Sequence, residues 1–440
     1  MLDSVVRKAL VLAAAMLALG CGSPPDVEVE ATDASFVFDQ EQLRTYELEL
    51  EPEALALLEQ DPQAEIYVPA RLRFEGRVWE QIGLRYKGAY GSLYWCFDEQ
   101  GKQICPKLSM KLKFTEYQDE GPLFYGLERL NLHAMSSAAL PGQDRGGDGS
   151  KLHERLGYNL FRDNGVIAPR AVHARVLING ELLGLFVIVE QIDARFAAEY
   201  FPEEGEGNVY KEVWPVHLTA EPYFEALKTN QGQASVETTL AFAQALDAAG
   251  DEEFVGTLDE WMDVDALMRF IAVDRAIGNW DGVFGLYGLP AGNHNYYWYE
   301  QSTRRKQWLI PWDLDHSFER TEWMVEEFGA PRWTDAAGSC EGVPTFYGIP
   351  RYPAMCDDFL RRLVTLYDAQ WRLAGQEFLD TLYSEAELNA RIDAYAEQID
   401  AAVREDPDLD YDEWRAEVEA LREDAAGWRM RFQADIDAQN

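Results

Sequence analysis

The stretch from Ile271 to Phe318 constrains this chain most, because one short span must supply a helix, two strands and three polar clusters. Leu267, Phe270, Ile271 and the run Asp274 to Ile277 follow the period of an amphipathic helix, which ends in a polar loop at Gly278. An aromatic strand, Tyr296 to Tyr299, and a second strand, Trp308 to Ile310, come next. Paired as an antiparallel hairpin, they bring Asp281, Asn295 and Asp313 together at one end. Each of these three, taken alone, reads as a cap or turn former. All three in the most aromatic part of the chain read as a site. Two carboxylates and an amide oxygen are hard ligands, suited to Mg²⁺ held against phosphates rather than to zinc or copper.

The formal net charge is −39, which argues against nucleic acid as a partner, because phosphate contacts need clustered Lys and Arg. A phosphate ligand therefore needs a local concentration of cations. The N-terminus reads as a signal: Arg7 and Lys8 precede an apolar run, Ala9 to Leu19, too short to span a bilayer comfortably. It ends in Ala18-Leu19-Gly20-Cys21, which resembles a bacterial lipoprotein signal with Cys21 lipidated. Residues 1–21 are thus expected to be a signal peptide and 22–40 a polar tether, with ordinary secretion as the alternative. The other four cysteines fit export, with Cys96–Cys105 and Cys340–Cys356 as the natural local disulfides.

Between Glu47 and Phe114 the pattern is strand-like with a short helix. In Ser109-Met-Lys-Leu-Lys-Phe, Met110, Leu112 and Phe114 share one face and Ser109, Lys111 and Lys113 the other. With Arg85 and Lys87 on a second alternating strand, this is the chain's local concentration of positive charge; a solvated sheet face is the plainer reading. Gly126 to Ala134 reads as a short buried strand. A helix is expected from Lys151 to Asn164 with Ser150 as its N-cap. Ala171 to Val189 reads as a hairpin turned by Asn179-Gly180. Helices are expected at Ala194–Tyr200, Tyr223–Gln231, Val236–Ala249, Asp358–Asp380, Ser384–Arg404 and Asp412–Ala438. Before the last of these, D-P-D-L-D-Y-D-E reads as a helix start rather than a calcium loop, lacking the sharp-turn glycine.

In order, R-Y-K-G at 85–88, K-L-S-M-K-L-K-F at 107–114, D-G-S-K-L-H-E at 148–154, G-V-I-A-P-R at 165–170 and I-N-G-E-L-L-G-L-F-V-I-V-E-Q-I-D at 178–193 lead to the opening stretch. The chain thereby resembles the CotH kinase family from about Glu47 to the C-terminus. The resemblance implies an α+β, atypical protein-kinase-like two-lobe fold, with a sheet-rich N-lobe (41–193) and a helical C-lobe (194–440) carrying the metal and catalytic loops. It implies ATP and Mg²⁺ or Mn²⁺ as cofactors, and transfer of the γ-phosphoryl group to Ser or Thr of a surface or coat protein. On this likeness Asp281 is the catalytic aspartate, and Asn295 and Asp313 are metal ligands. Lys111 or Lys113 holds the phosphates, with Arg85 adding charge; Glu154 orients the lysine and Glu190 lies near the nucleotide.

The pattern departs from protein kinases in lacking a G-x-G-x-x-G loop, and V-F-G-L-Y-G-L-P-A-G lengthens the span between Asp281 and Asn295. ATP is scarce outside the cytoplasm. A surface-anchored, non-catalytic binding module on the same fold is therefore the alternative, with aromatic residues supplying the contact face.

Overall fold

The computed structural model describes residues 33–438, apart from 119–120, 139–146, 205–206, 233–234, 288–291, 327–329, 337–339, 341–342 and 345–349. The signal, Cys21 and most of the tether lie outside the described residues. Among the described residues, no helix is long and apolar enough to cross a membrane.

Seven strands close into a barrel: β1 (Arg44–Glu49), β2 (Val68–Phe74), β3 (Arg77–Tyr86), β4 (Met110–Lys113), β5 (Arg129–His133), β6 (Ala171–Ile178) and β7 (Glu181–Val189). Around the barrel the order is β1-β2-β3-β4-β5-β7-β6. The seam is the parallel pairing of β1 with β6, a long-range contact that no local pattern announces. Period-two alternation decides what fills the interior: Leu84, Met110, Leu112, Leu130, Leu132, Phe186 and Ile188 form one core with Tyr46, Phe74 and Phe124. The β6–β7 hairpin turns on Asn179 and Gly180, both with positive φ (51° and 82°), as expected of that dipeptide. Helix α1 (Pro52–Gln60) packs on β2.

Leu185, Val187 and Val189 point out of the barrel and join a second, larger core, shared with the helices. Helix α2 (His153–Asp163) is buried over most of its length between them. Its entry differs from expectation: Asp148, rather than Ser150, gathers the amides of Lys151 (2.8 Å) and His153 (2.7 Å). Ser150 is drawn into the same network, its hydroxyl donating to Asp148 at 2.6 Å and accepting from the Leu152 amide at 3.2 Å.

The remaining helices are α3 (Ala194–Tyr200), α4 (Glu221–Ala226), α5 (Glu237–Ala248), α6 (Asp251–Trp261), α7 (Val264–Ala276), α8 (Thr321–Glu326), α9 (Asp358–Leu366), α10 (Asp368–Asp380), α11 (Glu385–Glu405) and α12 (Tyr411–Asp437). The single helix expected over Asp358–Asp380 is broken at Tyr367, whose buried ring sends its hydroxyl to the Val255 carbonyl at 3.1 Å. The acidic run before α12 is a helix start. Asp410 accepts from the Glu413 amide at 3.0 Å, and Asp406 is buried against Lys107.

A three-stranded sheet completes the helical part: β8 (Asn208–Lys211), β10 (Tyr296–Gln301) and β11 (Lys306–Pro311). The antiparallel β10–β11 hairpin matches the aromatic strand pair read from the sequence, whereas β8, only four residues long, left no periodic signal. A short sheet joins β9 (Leu286–Tyr287), β13 (Pro350–Tyr352) and β12 (Val343–Pro344). Both expected disulfides form, with Cα–Cα distances of 4.9 Å for Cys96–Cys105 and 5.6 Å for Cys340–Cys356.

Candidate active site

Register places the polar residues. Tyr296 pairs with Pro311, so Asn295 just before β10 and Asp313 just after β11 stand at the same end of the hairpin. The Trp312 amide closes that end on the Asn295 carbonyl at 3.1 Å. Asn295 and Asp313 both take positive φ, 59° and 56°, a conformation that costs an ordinary side chain about 1 kcal/mol. The flanking strands hold them there. The Asn295 amide group donates to the Asp281 carboxylate at 2.8 Å and to the Asp281 carbonyl at 2.9 Å. The two are thus joined, and Asp313 is close enough to act on the same His294 imidazole as Asp281. Its own amide donates to the Tyr158 hydroxyl of α2 at 3.0 Å.

From the barrel side comes Lys87, one residue beyond β3, its amide still bonded to the Ser109 carbonyl just before β4 at 2.9 Å. Its Nζ lies 2.5 Å from His133 Nε2, and His133 Nδ1 lies 2.8 Å from both Glu154 carboxylate oxygens. Ligand atoms of His133, Glu154 and Asp313 lie within 4.8 Å of one another. The Trp312 ring stacks edge-on to His133 at 5.9 Å and sits 5.4 Å from the Lys87 ammonium. Lys211 and Glu212 add a second cation and another acid: Glu212 accepts from the Asn295 amide at 3.1 Å, and Lys211 lies 3.3 Å from Glu212.

Of the barrel-side cations expected to meet phosphate, the one set against the acids is Lys87. Lys113 is tied to Glu116 at 2.8 Å and Arg85 to Glu65 at 2.7 Å. Lys111 lies opposite Arg85 in the β3–β4 pairing, where burial and then Lys87, Arg85 and Arg129 lower its pKa to about 7. Glu190, expected beside the nucleotide, is buried and bound to Arg170 at 2.9 and 2.5 Å. Sequence reasoning passed over His133, Lys211 and Glu212. For His133 a signal existed, since alternation in L-N-L-H sets it with Asn131 on the face opposite Leu130 and Leu132.

The electrostatics show acids crowded beyond what the local cations balance. Burial and then Asp313 push the Glu154 carboxyl well above its ordinary range. Burial does the same to Asp315, with Asp313, Glu154 and Asp281 adding to it against His316. Burial works against a charged His294, but Asp281 at 2.9 Å, with Glu212 and Asp313, raises its pKa. Carboxylates held this close, with an amide oxygen among them, are a donor set that a divalent cation fits.

The family model of the CotH kinase protein matches residues 84–426. The chain belongs to the CotH kinase family. One curated member similar to it is inner spore coat protein H of Bacillus subtilis (strain 168), 21% identical over 298 residues, covering 64% of this chain and 71% of that protein. The CotH match begins at the end of β3 and runs into α12, so it takes in every residue of the acid cluster and Lys87.

Proposed function

We propose that this CotH family member is an ATP-dependent phosphotransferase, acting outside the cytoplasm, that moves the γ-phosphoryl group to a Ser or Thr hydroxyl of a surface or coat protein. The observation that carries the reading is the gathering of Asp281, Asn295 and Asp313 opposite Lys87. It supports a kinase-like division in which the barrel side supplies the cation and the helical side the acids. The two disulfides and the spore-coat relative support the location.

Asp313 and Asn295 would hold Mg²⁺ or Mn²⁺, which when bound neutralises charge on the β- and γ-phosphoryl oxygens. Lys87 donates N–H bonds to phosphate oxygens, with Lys111 next to it on the sheet. Trp312 walls the lysine from water on one side. Asp281, fixed by Asn295 and His294, accepts the proton of the attacking hydroxyl as its oxygen bonds to the γ-phosphorus and the bond to the β-phosphate oxygen breaks.

A second reading, a non-catalytic binding module, has its own support in Tyr90, Tyr94 and Trp95, which are 69%, 45% and 45% exposed on the segment between Lys87 and the Cys96–Cys105 disulfide. Calorimetry of ATP binding with and without Mg²⁺ separates the two. The phosphotransferase reading expects Mg²⁺-dependent heat that Asp313→Ala weakens at least about tenfold in affinity. No Mg²⁺-dependent binding by the wild type leaves the binding module.

A further inference from the structure

We infer that His133 is a positioning residue that couples Glu154 to Lys87, an inference that rests on the phosphotransferase reading. Lys87 forms no ion pair of its own among the described residues; its link to Glu154 runs through the imidazole. An ammonium carries donors only, so His133 Nε2 accepts from Lys87. Its lone pair there leaves the ring proton on Nδ1, which donates to Glu154. The result is a directed chain from ammonium through neutral imidazole to carboxylate, in which each bond strengthens the next and the Lys87 charge and the Nδ1–H bond favour the ionised Glu154 against its burial.

Three features fix the ring. Strand β5 sets its backbone, Leu130 and Leu132 anchoring the opposite face in the barrel core. Trp312 meets it edge-on. The side chain itself is only 6% exposed. A lysine has four rotatable bonds and no preferred aim. Anchored by one N–H on Nε2 and bordered by Trp312, Lys87 keeps two N–H groups for phosphate oxygens. Spacing matters too, because the imidazole fills the distance between Glu154 on α2 and a lysine that stands one residue outside its strand.

The tautomer can be read without any turnover. With six histidines in the chain, two-bond ¹H–¹⁵N spectra of the full-length, histidine-labelled protein resolve each ring, and His133→Gln identifies the signal that disappears. The expected result is a neutral ring protonated on Nδ1; in Lys87→Ala the Glu154 bond keeps that proton on Nδ1, while Nε2 loses its donor and its ¹⁵N shift moves. An Nε2-protonated or doubly protonated His133 in the wild type overturns the inference.

Kinetics supply the second arm. His133→Leu and Lys87→Ala should each lower kcat/KM for ATP at least about thirtyfold, and the double variant should lose no more than about threefold beyond the worse single. Losses that multiply in the double variant contradict coupling. Glutamine offers a carbonyl to Lys87 and an N–H to Glu154, so His133→Gln should recover to within about fivefold of wild type; recovery no better than His133→Leu counts against the relay. An inactive wild type sinks the phosphotransferase reading, yet the tautomer measurement still decides whether the relay exists.

Discussion

The Asn295 side-chain nitrogen lies 2.8 Å from an Asp281 carboxylate oxygen and 2.9 Å from the Asp281 carbonyl, so a strand-end amide clamps the loop that follows α7. The clamp uses the nitrogen end of the amide and leaves the oxygen end for another partner. It also explains how an insert between Asp281 and Asn295 can be long without separating them, because the hydrogen bonds close its base.

That clamp predicts a graded stability loss at Asn295. Asn295→Ala forfeits two hydrogen bonds and keeps an unfavourable φ of 59°. Asn295→Gly forfeits the bonds alone. Urea unfolding should place alanine about 1 kcal/mol below glycine, with both less stable than wild type. Equal stability of the two variants contradicts the strained clamp.

Three lysines on adjoining strands should differ in nucleotide affinity. Lys87→Ala is expected to weaken it at least about tenfold, whereas Lys113→Ala, whose ammonium is held by Glu116, should stay within about twofold. Lys111→Ala falls between, since it borders Lys87 without touching the acids. The opposite ranking in a calorimetric titration would restore Lys113 as the phosphate ligand.

Much of this site was legible beforehand for a simple reason. A hairpin is a local structure, and its ends meet wherever its strands pair, so aromatic alternation at 296–299 and 308–310 was enough to join Asn295 and Asp313. The Asn179-Gly180 turn and the two disulfides are local in the same way. What escaped depends on closure of the barrel. Alternation puts Arg85, Lys87, Lys111 and Lys113 on one sheet face, but only three-dimensional packing tells which of them meets α2 and β11. His133 was hidden in a run of core leucines, and Lys211 and Glu212 follow a strand too short to show a period.

A buried histidine away from the cluster gives a pH test of the fold. His173 lies between the Arg155 guanidinium, 3.1 Å from Nδ1, and the Lys151 carbonyl, 2.6 Å from Nε2. Burial and then Arg155 push its pKa to about 3 from 6.5. Because the folded-state value is depressed, the unfolded chain binds the proton first as pH falls through 6.5. The stability of the neutral ring, full above that pH, is therefore lost progressively toward pH 3. By pH 5 the loss should reach about 2 kcal/mol. In His173→Gln the deficit relative to wild type should shrink by that amount between pH 8 and pH 5, as followed by chemical denaturation. Parallel curves for the two proteins contradict it.

The central claim is that Asp281 and Asp313 do different work in one phosphoryl transfer, and the most direct test is transfer of ³²P from Mg²⁺·ATP to a Ser-rich acceptor protein by wild type and Asp281→Asn. The account predicts that Asp281→Asn binds Mg²⁺·ATP within a few-fold of wild type and transfers phosphate at least about a hundredfold more slowly. Transfer by Asp281→Asn at the wild-type rate contradicts it.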